Sequence, residues 1–285
     1  MIFINKQKIE LGKFPDGTPL FKNFNTEKLF SDEEKLGGKR IQVVWRYENN
    51  EEMIYLFMLV NHIKNHALCT GRSFRYILYM PYIPNARMDR VKDTDDVFTL
   101  KYFCDFINSL KFDKIFVLDA HSNVSLALLN NVVDRKEFLS DYIKQAIIKC
   151  NPDVLFFPDE GSYKRYDEIV KNIVSSSLKT FDISFANKVR DWKTGKILSL
   201  NIVNEHVVKD KNILIIDDIC SKGGTFYHSA KALKNLGAKN IFLYVTHCEN
   251  TILEGDLIDS DLIKKVYTAN TIFTKTHPLI DVISY

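Results

Sequence analysis

Ile213-Leu-Ile-Ile216 constrains this chain more than any other stretch. Four aliphatic residues in a row offer no polar face to water, so the segment reads as a strand buried on both sides, the kind found in parallel sheets. Asp217-Asp218 stands where that strand must emerge, and Ser221-Lys222-Gly223-Gly224-Thr225 follows at once. A helical run from Tyr227 to Leu236 comes next, with Gly237 placed to cap it. Strand, acidic pair, glycine loop and helix N-terminus together suit a sugar phosphate. Glycines let the backbone come close, while loop amides and the helix dipole attract the anion. The carboxylates can accept hydrogen bonds from ribose hydroxyls or face a divalent cation. The same residues also fit a strand end with solvated acids and an ordinary turn. The crowding of acids, glycines and Thr into one loop favours the phosphate site.

The rest of the chain narrows the class. Hydrophobic content of 46% and charged content of 26% belong to a globular protein with a sizeable core. A net charge of +3 is too small to argue for nucleic acid or an anionic membrane surface. The longest apolar run, Met53–Val60, falls well short of the ~20 residues of a membrane helix, and the first residues are not those of a signal peptide. Cys69, Cys104, Cys150, Cys220 and Cys248 are widely spaced and read as reduced packing residues, which gives a cytoplasmic expectation. In that setting the sequon Asn123-Val-Ser125 is a chance match.

The chain repeats itself. Asp113–His121 has a counterpart in Lys239–His247, each a buried strand ending in His. A helical run precedes each (Val97–Leu110; Thr225–Leu236), and before each helix another strand (Tyr76–Met80; Ile213–Ile216) empties into a polar loop. The simplest account is an α/β fold of two βαβ halves, each a mainly parallel sheet flanked by helices, with residues 1–147 in one domain and 148–285 in the other. Ligands of such sheets bind beyond the carboxyl ends of the strands. That singles out the loops after Met80, Leu118, Phe157 and Ile216.

Pro81-Tyr-Ile-Pro84-Asn-Ala-Arg87-Met-Asp89-Arg90 holds two stiffening prolines and then three charges. Arg87 and Arg90 suit a polyphosphate, because guanidinium grips phosphate oxygens in a fork; taken alone, the loop suits local Arg–Asp pairing better. His121 follows a strand end, where histidines are usually packed and hydrogen-bonded; His247 reads as structural. Asp159, beside Gly161 and Lys164-Arg165, suits a metal, a phosphate or a common turn. Lys188-Val-Arg190-Asp-Trp-Lys193-Thr-Gly-Lys196 is a basic stretch able to close over a transferring phosphoryl group, or the turn of a hairpin pairing Phe185–Val189 with Lys196–Ile202. No P-loop, zinc spacing or nucleophile elbow is present.

From about Phe14 to His247, these loops in this order resemble the ribose-phosphate diphosphokinase, or PRPP synthetase, family. The resemblance implies two tandem type I phosphoribosyltransferase-like domains. It also implies a Mg²⁺-dependent transfer of diphosphate from ATP to the anomeric hydroxyl of a ribose 5-phosphoryl substrate, releasing AMP. Phe14-Pro-Asp16-Gly17 is similar to the family's early loop, which contributes to a neighbouring subunit's ATP site and so implies a homodimer or higher oligomer. Arg87, Asp89 and Arg90 fall on its ATP-binding A-R-Q-D loop, and Asp119-Ala-His121 on its D-x-H, whose His is a magnesium ligand. Asp159 falls on its P-D-x-G-x-x-K-R at the position serving a second metal. Lys188 and Arg190 fall on its catalytic K-x-R. Asp217 and Asp218 fall on its ribose-binding acids, and Ser221–Thr225 on its 5-phosphate loop.

The departures point to the acceptor. The family's D-D-x-x-D-T-x-G-T is here Asp217-Asp218-Ile-Cys-Ser221-Lys222-Gly223-Gly224-Thr225, with Ser and Lys in place of Asp and Thr. One negative charge is lost and one positive gained beside the phosphate pocket. Thr18 stands where the family usually has Glu, and Met88 replaces Gln. A more cationic loop suits a substrate with more than a monophosphate at its 5′ end, which puts ADP-ribose, feeding NAD synthesis, beside ribose 5-phosphate as the expected acceptor. Two other readings remain: a phosphoribosyltransferase consuming PRPP, and a non-catalytic regulatory homologue.

Overall fold

The structure, a computed structural model, describes residues 1–35, 39–176, 179–190 and 197–284, and side chains for all of these except 176, 188–190 and 197–200. It divides into two compact units, Met1–Arg135 and Lys136–Tyr285. Among the described residues no helix is long and apolar enough to cross a membrane.

The first unit opens with β1 (Ile2–Ile4) and β2 (Gln7–Lys8), then a separate hairpin, β3 (Glu10–Lys13) and β4 (Pro19–Lys22). After α1 (Thr26–Lys35) come β5 (Arg40–Trp45), α2 (Glu52–Cys69), β6 (Arg75–Tyr79), α3 (Thr99–Ser109), β7 (Lys114–Val117), α4 (Asn123–Leu128) and β8 (Val132–Asp134). The sheet order is β2-β1-β5-β6-β7-β8. β5 to β8 run parallel, while β1 is antiparallel to both its neighbours. Ile41, Val43 and Trp45 of β5 pack with Leu56, Leu59, Val60 and Ile63 of α2 and with Leu100, Phe103 and Ile107 of α3. The one polar atom of Trp45 is satisfied, its Nε1 donating to Glu52 Oε2 at 2.9 Å.

The second unit holds α5 (Lys136–Cys150), β9 (Val154–Phe157), α6 (Glu160–Ser176), β10 (Asp182–Arg190), β11 (Ile197–Val203), β12 (Asn212–Cys220) and α7 (Gly224–Asn235). It continues with β13 (Asn240–Cys248), α8 (Asp256–Asp259), β14 (Lys265–Ala269) and β15 (Ile280–Ile283). Its sheet runs β11-β10-β9-β12-β13-β14-β15, parallel except for the β10–β11 hairpin. α7 sets Phe226, Ala230 and Leu233 against Val154, Phe156, Ile213, Ile215, Ile241 and Leu243. Leu155, Phe157, Leu214 and Ile216 point the opposite way and are equally buried, so both faces are covered, as the aliphatic run requires. Each such side chain contributes about 1.5–3 kcal/mol.

The expected βαβ pairs are present as β6–α3–β7 and β12–α7–β13, and Phe185–Val189 pairs with the strand ending at Val203. The unit division falls at Arg135/Lys136, whereas the sequence placed it at 147/148; α5 packs on β12, β13 and β14 and travels with the second unit. The acidic pair differs more. β12 does not end at Ile216 but continues through Asp217 and Asp218 to Cys220, paired with β13 from Asn212 to Asp217 and again at Ile219 and Cys220. Four of the five cysteines are buried, and burial pushes the thiols of Cys104, Cys150 and Cys248 up to about 12.

Gly237 closes α7 as expected. Its φ is 86°, its N–H donates to Lys234 O, and Ala238 N donates to Leu233 O, the paired bonds of a Schellman cap. Gly237→Ala should destabilise the fold by about 1–2 kcal/mol, with Gly237→Asn costing less, measured by urea unfolding. Equal stability of the Ala variant and the wild type would refute the left-handed requirement.

Candidate functional site

The residues expected to hold the ribose phosphate lie in the second unit. β9 pairs with β12 only from Ile213 to Ile215, so Asp217 and Asp218 sit where β12 has β13 on one edge and no β9 on the other. The N-terminal turns of α6 occupy that open edge. Arg165 Nη1 donates to Asp218 Oδ2 at 2.8 Å, and Asp218 is only 5% exposed. Asp218 N donates to Asp217 Oδ1 at 3.0 Å, which holds the first carboxylate against the backbone of the next residue. Two adjacent carboxylates on a strand repel, and the Arg165 guanidinium offsets that repulsion at Asp218. Arg165 stood in the sequence beside Asp159, but its tie to Asp218 depends on where β9 stops and was not legible there.

Asp159 begins α6 as its N-cap. Ser162 N donates to Asp159 Oδ1 at 2.9 Å and Ser162 Oγ donates to Asp159 O at 2.9 Å. A Cβ at Gly161 would stand 3.2 Å from Asp159 Oδ1, which accounts for the glycine. Lys164 pairs with Glu160 at 2.7 Å on the helix surface. One Asp159 oxygen is therefore committed to the turn, the plainer of the roles the sequence allowed.

Past Cys220 the chain enters the loop expected to hold the 5-phosphate. Gly223 has φ 78° and caps α7, whose first turn begins at Gly224 with Thr225 beside it. A Cβ at Gly223 would lie 2.8 Å from Leu257 Cδ2. On the loop's other flank a Cβ at Gly255 would overlap the Lys222 carbonyl oxygen. The segment after β13 thus forms a wall behind the loop, a role for Gly255 and Leu257 that the sequence did not reveal. Ser221 Oγ is 3.1 Å from Thr251 Oγ1, which donates to Glu249 Oε2 at 3.2 Å. Lys222 Nζ, on an exposed side chain, is 3.6 Å from the exposed Glu254 Oε2, a loose surface pair. His247 is buried, its Nδ1 3.1 Å from Thr271 Oγ1.

The first unit brings its charges to one cleft of about 430 Å³, lined by Arg87, Met88, Asp89, Arg90, Lys92, Asp96 and His121. Tyr82, Ile83 and Ala86 are buried and anchor the loop, leaving Arg87 and Met88 exposed. Asn85 and Asp119 adopt positive φ (63° and 51°), single-residue strain at the two turns that present Arg87 and His121. Asp119 is buried, and its N–H donates to Asp134 Oδ1 at 2.9 Å. Arg90 Nε donates to Asp89 Oδ1 at 3.0 Å, so the local pairing foreseen for this loop is present for Arg90. That bond holds the Asp89 carboxyl below the usual carboxylate range, against its partial burial, with help from Ser122 and the nearby His121.

Phe14 and Asp16 do not line this cleft. They cap the β3–β4 hairpin, Phe14 half exposed, with Thr18 N donating to Asp16 Oδ1 at 2.9 Å and lowering the Asp16 carboxyl. Lys188 and Arg190 lie on β10 by backbone, with their side chains outside the described set; Lys193 and Lys196 lie outside the described residues. Among the described residues no cluster of three or more His, Cys, Asp or Glu is arranged to hold a metal. Asp89 and His121 in one cleft fit a cation that arrives with nucleotide phosphates and takes one or two protein ligands, rather than a preformed cage.

Two substitutions test this geometry. Arg165→Ala leaves the Asp218 carboxylate buried without its cation and should cost about 3 kcal/mol in urea unfolding; a loss below about 1 kcal/mol would refute the pairing. Gly255→Ala forces the Lys222 carbonyl to move, and should weaken inorganic phosphate binding about tenfold while the fold remains cooperative. Unchanged affinity would show that the wall does not shape the loop.

The Phosphoribosyl transferase domain family matches residues 128–271, half of the chain. Ribose-phosphate pyrophosphokinase of Pyrococcus furiosus is 28% identical over 243 residues, covering 84% of this chain and 77% of that protein. Its namesake from Pyrococcus abyssi is 26% identical over 285 residues, covering 99% and 90%. Among solved structures, phosphoribosylpyrophosphate synthetase from Mycobacterium smegmatis superposes with a TM-score of 0.69 at 18% identity, over 97% of this chain and 86% of that one, and shares the two-sheet type I fold. The chain belongs to the phosphoribosyltransferase domain family and, within it, to the ribose-phosphate pyrophosphokinase family of diphosphotransferase enzymes.

Proposed function

We propose that the chain transfers the β,γ-diphosphate of ATP to the anomeric hydroxyl of a ribose 5-phosphoryl acceptor, and that this acceptor is ADP-ribose. The anomeric oxygen attacks the β-phosphorus, the bond from that phosphorus to the α,β-bridging oxygen breaks, and AMP leaves. The hydroxyl proton passes to solvent. The products are AMP and a ribose 1-diphosphate still carrying its 5′ substituent.

Ser221-Lys222 carries the choice of acceptor. The loop bears an exposed ammonium where the family has Thr, and its partner Glu254 is a surface carboxylate that an incoming phosphate displaces. A second phosphate on the 5′ end gives Lys222 a charge-assisted partner that a monophosphate, seated on the amides of Gly223 to Thr225, does not need. Ribose 5-phosphate is the second reading, supported by the names of the curated relatives, each a ribose-phosphate pyrophosphokinase.

Asp217 and Asp218 accept hydrogen bonds from the ribose hydroxyls and orient the anomeric oxygen. Arg87 grips nucleotide phosphates in the first unit's cleft, and Lys188 with Arg190 neutralises the transferring group; positioning and charge neutralisation carry such reactions. His121 in the first unit and, separately, Asp159 in the second would be candidate Mg²⁺ ligands, and the metal would supply Lewis-acid charge neutralisation of phosphoryl oxygens. The exposed Phe14–Gly17 turn, separate from the Arg87 cleft of its own unit, supports a homodimer or larger assembly in which it completes a neighbour's nucleotide site.

AMP release from ATP with Mg²⁺ should proceed with ADP-ribose and cease on chelation. Lys222→Thr should lower the preference for ADP-ribose over ribose 5-phosphate about tenfold, the worth of one charge-assisted hydrogen bond. Equal turnover of ribose 5-phosphate by wild type and Lys222→Thr, with neither using ADP-ribose, would defeat the acceptor assignment. No AMP with either acceptor would defeat the reaction itself.

A further inference from the structure

A second cleft in the second unit lies one helical turn beyond the phosphate loop. It has a volume of about 410 Å³ and is lined by Tyr227 and Lys231 of α7, Asp256 and Asp259 of α8, and Ser260 and Leu262. No motif read from the sequence falls on it. α7 and α8 meet at the phosphate loop itself, where Leu257 packs against Gly223. The same two helices therefore flank both this cleft and the loop assigned above to the 5′-phosphate.

Its chemistry is mixed in a specific way. Tyr227 is half buried and sits four residues before Lys231 on the same face of α7. Its ring is held edge-on against His228, centroids 5.5 Å apart. Asp256, Asp259 and Lys231 share the cleft, yet among the described residues they form no ion pair with one another. Ser260, by contrast, is consumed locally: its Oγ donates to Leu257 O at 2.8 Å and accepts from Leu262 N at 3.3 Å. An aromatic face, two carboxylates and one ammonium in a space of this size fit a nucleoside joined through a phosphate. The ring stacks on the base, the carboxylates accept from ribose hydroxyls or an exocyclic amine, and the ammonium meets the phosphate. At 1.5 Å per residue, Lys231 stands about 10 Å along α7 from Gly224, the scale of a diphosphate and its second ribose.

We infer that the Tyr227–Lys231–Asp256–Asp259 cleft is the subsite for the distal adenosine of the acceptor, and that it selects a nucleoside diphosphate sugar over a bare sugar phosphate. The inference rests on the ADP-ribose reading above and adds the residues that read the far end. Lys222 meets the charge of the second phosphate, and Tyr227 with the two acids recognises what lies beyond it.

The test uses the full chain, with ADP-ribose and ribose 5-phosphate as probes, by calorimetry and by AMP release. Tyr227→Ala should raise the Kd and KM for ADP-ribose about tenfold with kcat and thermal unfolding preserved, while the Kd for ribose 5-phosphate stays within twofold of wild type. Asp256→Asn should move the same constants in the same direction by a smaller factor. If wild type uses ADP-ribose and both variants match it, the subsite is overturned and the acceptor reading stands. Should wild type neither bind nor turn over ADP-ribose, both fall together. Weakening of the two probes by the same factor would make Tyr227 a support of the phosphate loop, which also overturns the inference.

Discussion

The ion pair between Arg165 and Asp218 is the contact on which the second unit's chemistry depends. A carboxylate almost wholly removed from water, next in sequence to another carboxylate, is tolerated only with a cation at hydrogen-bonding distance. The pair also joins two elements that share no backbone bond at that level. β9 has stopped, β12 has gone on, and α6 leans into the gap with its guanidinium. Asp217 keeps its place in β12, paired with Val245 of β13. In the function proposed above, ribose recognition would belong to this edge, where one strand outlasts its neighbour, rather than to a loop.

In the function proposed above, the two units would approach phosphate differently. The second offers backbone: a left-handed glycine, a helix N-terminus and amides that need no counterion. The first offers side chains, with Arg87, Arg90, Lys92, Asp89, Asp96 and His121 around one cleft. A backbone cradle suits a substrate group that must be held still. A side-chain cleft with charges of both signs suits a group whose charge is redistributed during the reaction.

Much of this was legible in the sequence because it rests on local rules. Four aliphatic residues fixed Ile213–Ile216 as a doubly covered strand, the glycines marked the loop, and Gly237 marked the end of α7. The hairpin of β10 and β11 followed from two apolar runs around a polar, glycine-containing turn. What escaped depends on distance. The length of β12 beyond its aliphatic run is set by β13, a partner whose reach no local signal reports. Arg165 acquires its role from where β9 ends. Helix α5 belongs to the second unit through contacts with three strands that follow it in the chain. Gly255 looked like any turn glycine, since its reason lies at Lys222.

That contact at Gly255 separates what the phosphate loop is from what decides its shape. Residues 221–225 carry the donors, but the curve they follow is moulded against a segment that begins only after the next strand has been completed. If the loop holds the acceptor as proposed, acceptor choice can drift through changes between Glu249 and Asp259 while the loop's own sequence stays fixed. Two relatives with the same loop and different following segments would then part company over substrate, and the cause would lie outside the motif by which both were recognised.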